Sequence, residues 1–183
     1  MSTEIEQRAA VVAAARAWKN TPYHMNAKIR GVGVDCGQLL ICAFRDAGLT
    51  PDIITGHGLP DFHLNRKEER YMNFVRRYLT EIPGPPEAGD VMLFHYGHSY
   101  SHGGIVVDAA PLTIVHALVK ARKVIEQQLT KYSEVMANKP PGRPPPKIFT
   151  LWPKAKPVPA FGENLLAPNC VAYFNFGKVE PRE

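Results

Sequence analysis

GVGVDCGQLL, residues 31–40, places a cysteine at the point where a flexible loop becomes a helix. From Cys36 to about Ala47 the apolar residues recur at helical spacing, and Gly48 is the predicted C-cap. The positive end of this helix lies at Cys36, where it would lower the pKa of a thiol. The backbone N–H groups there are also placed to bind an oxyanion. The segment therefore predicts a nucleophilic cysteine, and a small buried apolar residue is the ordinary alternative.

The elements around this segment predict the fold class. Residues 3–19 and 67–80 carry apolar residues at helical spacing, while residues 23–34 and 50–66 are typical of loops. Short β-prone runs follow at residues 91–94, 103–108, 113–118 and about 121–127. Helices followed by an antiparallel meander predict an α+β fold, with the helices packed on a central sheet.

Composition limits the class of protein. The 183 residues suit one domain, 1–183, and 45% hydrophobic with 21% charged residues is ordinary for a globular chain. No apolar run approaches the roughly 20 residues that span a membrane. The N-terminal stretch mixes charges of both signs and does not resemble a signal peptide, which predicts synthesis in the cytoplasm. The net charge of +5 favours an anionic partner, such as a cell wall or nucleic acid.

A Pro-rich segment occupies residues 139–159 and holds eight prolines. Proline lacks the N–H that a helix or a central strand needs, so we expect neither structure there. A flexible arm, a polyproline II docking segment and a rigid loop strapped over the domain all remain open.

Two histidines follow the cysteine on neighbouring predicted strands. His102 precedes two glycines in "HGGIVVD", and His116 lies in "IVHAL". A hairpin around residues 109–113 would make them cross-strand neighbours on one face, with a small offset in register. One imidazole would then act as the base for Cys36 while the other orients it, the arrangement of a catalytic triad.

The other candidate residues are assigned to the core or left without a role. Cys42 lies within an apolar helix, and Cys170 is a predicted core-strand residue. His95 and His98 could form a metal site with His102, but their spacing is loose and no carboxylate accompanies them. We therefore predict neither a metal nor a cofactor.

Several local motifs resemble the NlpC-type family of cell-wall cysteine peptidases. "AWKNTPYHMNAKIRGVGVDCGQLL" (17–40) is similar to the opening segment of that family, and "PPEAGDVMLF" (85–94) to its Pro-Gly-Asp-Leu strand start. "SHGGIVV" (101–107) resembles the histidine strand, and "IVHAL" (114–118) the strand with the third polar residue. Their order and approximate spacing match as well, which together implies a compact papain-like fold.

The resemblance implies a role for each matched residue. Cys36 corresponds to the nucleophile, His102 to the general base and His116 to the orienting residue. Tyr23 corresponds to a tyrosine that helps to hold substrate or stabilise the oxyanion. Asp35 corresponds to the acidic residue that binds the free amine of the substrate, and it also fits as the N-cap of the helix.

The sequence departs from the family pattern at four places. Gly37 and Gln38 replace the usual Ser-Gly, and "HGG" replaces "HVG" at residues 102–104. An apparent insertion lies around residues 50–80, and the Pro-rich segment has no counterpart. This profile resembles the phage and prophage branch, whose peptidases are carried on the virion tail. It implies localisation on the tail and contacts between the Pro-rich segment and tail proteins.

The resemblance favours one function and leaves two alternatives. The leading hypothesis is a cysteine peptidase or amidase that hydrolyses an amide bond in the peptide stem of peptidoglycan, without a nucleic-acid partner. The first alternative is an amidase or acyltransferase that acts on another small amide or lipid. The second is a non-catalytic tail-assembly protein that retains the fold.

Overall fold

A six-stranded antiparallel sheet supports the N-terminal helices in a computed structural model of the chain. The structure describes residues 2–53, 69–129 and 144–153. In chain order the elements are α1 (Glu4–Ala17), β1 (Lys28–Ile29), β2 (Gly33–Val34), α2 (Cys36–Asp46), α3 (Arg70–Val75), β3 (Thr80–Ile82), β4 (Val91–Tyr96), β5 (Ser99–Ala109), β6 (Leu112–Leu118), β7 (Lys123–Gln128) and β8 (Lys147–Thr150). The predicted α+β class, with helices packed on an antiparallel sheet, is confirmed.

The described residues belong to one compact unit, Met1–Pro153. Within them, none of the helices combines the length and the apolar character needed to cross a membrane. Residues 154–183 lie outside the described part of the chain, so a single domain over residues 1–183 stays a prediction.

The first two helices begin and end close to their predicted positions. A capping box starts α1, because the Thr3 hydroxyl accepts from the Glu6 N–H and the Glu6 carboxylate accepts from the Thr3 N–H. Helix α2 begins at Cys36 as predicted. Its C-cap is Ala47, one residue before the predicted cap, and Gly48 follows with a φ of +73°, which glycine adopts without strain.

The sheet has the strand order β3-β8-β4-β5-β6-β7. Strands β4 to β7 form the predicted antiparallel meander, and a two-residue turn joins Ala109 to its partner Leu112 in the β5–β6 hairpin. Helices α1 and α2 pack on one face and enclose the larger apolar core. A smaller apolar cluster lies on the other face: Met92, Val106, Leu112, Ile114 and Ile148.

Three predictions about local structure are wrong. The Pro-rich segment contributes an interior strand, because β8 (Lys147–Thr150) pairs with both β3 and β4. Within its described part, residues 144–153, the prolines lie at positions 144–146 and 153 and leave the four strand residues with their N–H groups. Helix α3 ends at Val75, and residues 80–82 join the sheet beside β8 instead. The predicted loop over residues 23–34 contains the short β1–β2 pair.

A buried ion pair joins α1 to the sheet. Arg8 Nη1 lies 2.9 Å from Asp90 Oδ1, and the Asp90 side chain is fully buried. The guanidinium also lies 4.4 Å from the ring centroid of Trp152, which follows β8. Asp90 Oδ2 accepts the Glu87 N–H at 2.9 Å, so the carboxylate is bonded at both oxygens.

We expect Arg8→Met to lower the free energy of unfolding by about 3–5 kcal/mol, because the Asp90 carboxylate would stay buried without its cation. Urea denaturation measures this loss. Arg16→Met is the matched control on the same helix, since Arg16 pairs with Glu126 at the surface and its loss should cost about 1 kcal/mol or less. Equal losses in the two variants would contradict a structural role for the buried pair.

Candidate active site

The loop before α2 is tied to the first turn of the helix by Asp35. Its Oδ1 accepts the N–H groups of Gly37 and Gln38 at 2.9 and 2.8 Å, and its Oδ2 accepts the Asn26 N–H at 2.7 Å. Asp35 is therefore the N-cap that the sequence predicts, and both of its oxygens are engaged by backbone N–H groups. This arrangement holds Cys36 at the helix N-terminus.

The Cys36 thiol is buried, with 4% of the residue exposed. It receives a hydrogen bond from the backbone N–H of Gly103, the residue that follows His102 on β5. Burial raises the pKa of Cys36 to about 12, and the Asp35 charge adds to the rise. The expected lowering of the thiol pKa is therefore wrong for this resting site. A protonated thiol at neutral pH needs a base to remove its proton during attack.

The structure brings His102 and His116 together. His102 Nε2 lies 2.8 Å from His116 Nδ1, and the ring centroids are 5.1 Å apart. In the β5–β6 register Ile105 pairs with Val115, so the two histidines occupy diagonal positions on the same face. The two histidines are therefore offset by two residues from direct pairing, which is the small offset in register that the sequence predicts.

Gln127 extends the histidine pair and was missed by the sequence analysis. Its Oε1 lies 3.1 Å from His116 Nε2, and an amide oxygen only accepts hydrogen bonds. His116 therefore carries its proton on Nε2, and its Nδ1 accepts from His102 Nε2–H. In this tautomer the basic nitrogen of His102 is Nδ1. The register that pairs Ile114 with Gln127 places this residue diagonal to His116, within the strand predicted over 121–127.

Burial favours the neutral form of the His116 imidazole. Desolvation lowers the pKa of His116 and outweighs the hydrogen bond that His116 donates to Gln127, which acts in the opposite direction. A neutral imidazole has one nitrogen that donates and one that accepts, as the chain from His102 to Gln127 requires.

If the protein catalyses the amide cleavage that the sequence resemblance implies, Gln127→Ala should lower its rate about 2- to 10-fold, the kinetic equivalent of one neutral hydrogen bond. The loss arises because His116 would no longer be fixed in the tautomer that orients His102. Steady-state kinetics on a stem peptide measure the effect. Gln128→Ala is the matched control, since the next strand residue points to the opposite face. If both variants kept wild-type rates, Gln127 would have no part in the site.

Tyr23 lies beside Cys36 and has an unsatisfied hydroxyl donor among the described residues. Its N–H donates to the Arg122 carbonyl at 2.8 Å, which fixes the backbone next to the β6–β7 turn. The Tyr23 hydroxyl is buried and has no hydrogen-bond partner among the described residues. Burial raises the pKa of Tyr23, with the charges of Cys36 and Asp35 acting in the same direction, so the hydroxyl remains a neutral donor.

The structure does not assemble the remaining candidates into a site. His95 packs edge-on against Tyr100, while His102 lies beside Phe94, so these two histidines occupy opposite faces of β4 and β5. Within residues 2–53, 69–129 and 144–153, no cluster of three His, Cys, Asp or Glu side chains could hold a metal. Cys42 is fully buried in the core, and Cys170 lies outside the described residues.

Comparisons with known proteins identify structures of similar fold. No protein-family model and no curated protein matches the sequence. Among solved structures, the chain is similar to an N-acetylmuramoyl-L-alanine amidase from Bacteroides uniformis, with a TM-score of 0.53, 11% identity and coverage of 79% of this chain and 98% of that one. It is also similar to the peptidoglycan hydrolase RipB from Mycobacterium tuberculosis, with a TM-score of 0.51, 16% identity and coverage of 82% and 67%.

A third similar structure is the P60 domain of an antigen from M. avium subspecies paratuberculosis. It gives a TM-score of 0.50 at 17% identity, over 80% of this chain and 96% of that domain. At such identities the likeness establishes the fold alone. The chain has the papain-like α+β fold of NlpC/p60 domains, as its sequence motifs predict.

Proposed function

We propose that this protein is a thiol hydrolase that cleaves an amide bond in the peptide stem of peptidoglycan. One observation carries the proposal: a cysteine at a helix N-terminus lies against the residue that follows His102, and His102 is oriented by His116 and Gln127. The similarity to an amidase and to a peptidoglycan hydrolase supports the substrate class. The net charge of +5 favours approach to an anionic wall.

The reaction begins with proton transfer, because the resting thiol is protonated. As the Cys36 sulfur attacks the carbonyl carbon of the scissile amide, its proton moves to Nδ1 of His102. The resulting tetrahedral oxyanion accepts hydrogen bonds from the Cys36 N–H and from the Tyr23 hydroxyl, whose donor has no other partner among the described residues.

The remaining steps return the enzyme to its starting state. The C–N bond breaks, and His102 gives its proton to the leaving amine, which leaves a thioester on Cys36. Water then attacks the thioester while His102 removes a proton from it. The C–S bond breaks, the sulfur takes the proton back, and a carboxylic acid departs. His116 and Gln127 hold the His102 imidazole in one orientation throughout.

Digestion of purified peptidoglycan tests this function. Mass spectrometry of the soluble fragments should show a new amine and a new carboxyl terminus within the stem peptide, with every bond between the sugars intact. Intact stem peptides after prolonged incubation would overturn the proposal. They would favour the non-catalytic alternative.

The acyl acceptor distinguishes the proposed hydrolase from the acyltransferase alternative. In water enriched in ¹⁸O, a hydrolase adds one ¹⁸O atom to the new carboxyl group. An acyltransferase instead joins the acyl group to a second amine or alcohol, and its product carries no label from water. Labelled carboxylate is the result that we expect.

We also propose that the protein is encoded by a phage or prophage and carried on the virion tail. The departures from the family pattern, the apparent insertion around residues 50–80 and the Pro-rich segment, support this origin. Mass spectrometry of purified particles should detect the chain in the tail fraction. Its absence from intact particles would count against the tail and against tail proteins as partners of the Pro-rich segment.

A further inference from the structure

A second tyrosine lies behind the nucleophile. Tyr71 belongs to α3 and is 2% exposed. Its hydroxyl donates to the Cys36 carbonyl oxygen at 3.3 Å and lies within reach of the Cys36 side chain. The contact joins residues 35 positions apart, so it depends on how α3 packs against α2 and β5.

The Tyr71 hydroxyl occupies space that is open because residue 103 is a glycine and has no side chain. A Cβ atom at position 103 would lie 2.5 Å from the Tyr71 hydroxyl oxygen, a separation that real side chains do not show. It would also lie about 3 Å from the side chains of Leu93 and Leu40. The glycine in "HGG" and the apparent insertion that supplies Tyr71 are therefore complementary, since a valine at 103 would force the Tyr71 hydroxyl out of this position.

We propose that Tyr71 is a positioning residue that holds the Cys36 thiol through its hydroxyl, in the space that Gly103 leaves empty. The proposal deepens, and rests on, the function of Cys36 as a nucleophile. At rest the single hydroxyl proton is donated to the Cys36 carbonyl, and as the sulfur gains negative charge during attack the hydroxyl turns to donate to it instead. It also limits the rotation of the Cys36 side chain.

Several groups set the ionisation of Cys36 together. Asp35 and Tyr23 face it from the loop before α2, Tyr71 faces it from α3, and β5 contributes the Gly103 N–H next to His102. Burial, above all, raises the pKa of Tyr71 itself well above its usual value, so this hydroxyl stays protonated and acts only as a donor. Its hydrogen bond lowers the pKa of Cys36, against the larger effect of burial.

Alkylation of Cys36 by iodoacetamide tests the proposal without any substrate. In a chain that also carries Cys42→Ser and Cys170→Ser, the alkylation rate below the thiol pKa is proportional to the thiolate fraction. Tyr71→Phe should lower this rate about tenfold or more between pH 7 and 9, because a hydrogen bond to a charged group is equivalent to at least one pKa unit. Tyr100→Phe is the matched control, since its buried hydroxyl donates to the Pro145 carbonyl.

A wild-type alkylation rate in Tyr71→Phe would overturn the proposal, and so would an equal loss in Tyr100→Phe. Gly103→Ala supplies a second, independent route, because the added methyl group displaces the Tyr71 hydroxyl. Its rate should also fall, and Gly103→Ala with Tyr71→Phe should be no slower than Tyr71→Phe alone. Additive losses in the double variant would contradict a shared mechanism.

The proposed hydrolase function and the positioning role of Tyr71 can be disproved independently. If wild-type protein released no fragments from peptidoglycan, the proposed function would fall, yet a tenfold loss of alkylation in Tyr71→Phe would still establish the contact with the thiol. If cleavage occurred and alkylation were unaffected by Tyr71→Phe, the positioning role would fall and the function would stand. For an active enzyme we expect kcat to fall with the alkylation rate while KM is unchanged.

Discussion

Cys36→Ser should abolish cleavage of the stem peptide, a loss on the order of 10⁴-fold or more in kcat. Serine is close to cysteine in size, so α2 and its Asp35 cap should remain folded. A hydroxyl, however, holds its proton far more tightly than a thiol, and His102 alone cannot remove it at a useful rate. The measurement is fragment release from purified peptidoglycan at one pH, with the fold checked by circular dichroism.

Cys42→Ser is the control for this first prediction. Cys42 lies on the same helix and is fully buried, yet it contacts the core and not the histidine pair. Its replacement should cost stability and leave kcat close to that of the wild type. Wild-type turnover in Cys36→Ser, or complete loss in Cys42→Ser with the fold retained, would show that the nucleophile is assigned to the wrong residue.

His102→Ala should lower the rate about 10²- to 10⁴-fold, since it removes the group that takes the thiol proton and gives it to the leaving amine. His116→Ala should cost less, because the base remains and is only less well oriented. The double variant should be little slower than His102→Ala alone, since the two side chains act as one unit. Rates for the three variants on the same stem peptide test this non-additivity.

His95→Ala is the control for the second prediction. His95 lies one residue after Phe94 on β4, but its ring packs against Tyr100 on the face away from His102. Its activity should be near that of the wild type, and chelators should have no effect. Full activity in His102→Ala would contradict the Cys36–His102–His116 mechanism. Inactivation of the wild type by a chelator would favour a metal-dependent mechanism instead.

The elements that contain the site were predictable because their signals are local. Asp35 is a strong N-cap residue, and the apolar positions after Cys36 repeat at helical spacing. The alternating runs that contain His102 and His116 mark neighbouring strands, and strands that follow each other in sequence usually pair. Helix start, hairpin and histidine pair therefore followed from short stretches of sequence.

The errors come from contacts between distant parts of the chain. Strand β8 inserts between β3 and β4, which no local pattern reveals when prolines flank the strand residues. Tyr71 carries the helical spacing of a core residue, and only the packing of α3 against Gly103 shows that its hydroxyl reaches Cys36. The raised pKa of Cys36 likewise results from burial, which depends on the whole tertiary structure.

The contact of Gln127 with His116 was only partly predictable from the sequence. It lies in a predicted strand, and pairing that strand with "IVHAL" in register would have placed it near His116. Glutamine is common on exposed strand positions, however, and only the 3.1 Å contact with His116 distinguishes it from its neighbour Gln128.

The central claim is a covalent thioester on Cys36, and acid quenching during turnover tests it most directly. Intact-protein mass spectrometry of the quenched mixture should show a species heavier by the acyl part of the stem peptide. Peptide fragmentation should place this mass on Cys36, hydroxylamine should remove it, and Cys36→Ser should not acquire it. Stem-peptide cleavage with no adduct at any time, or with the adduct on a different residue, would contradict the account.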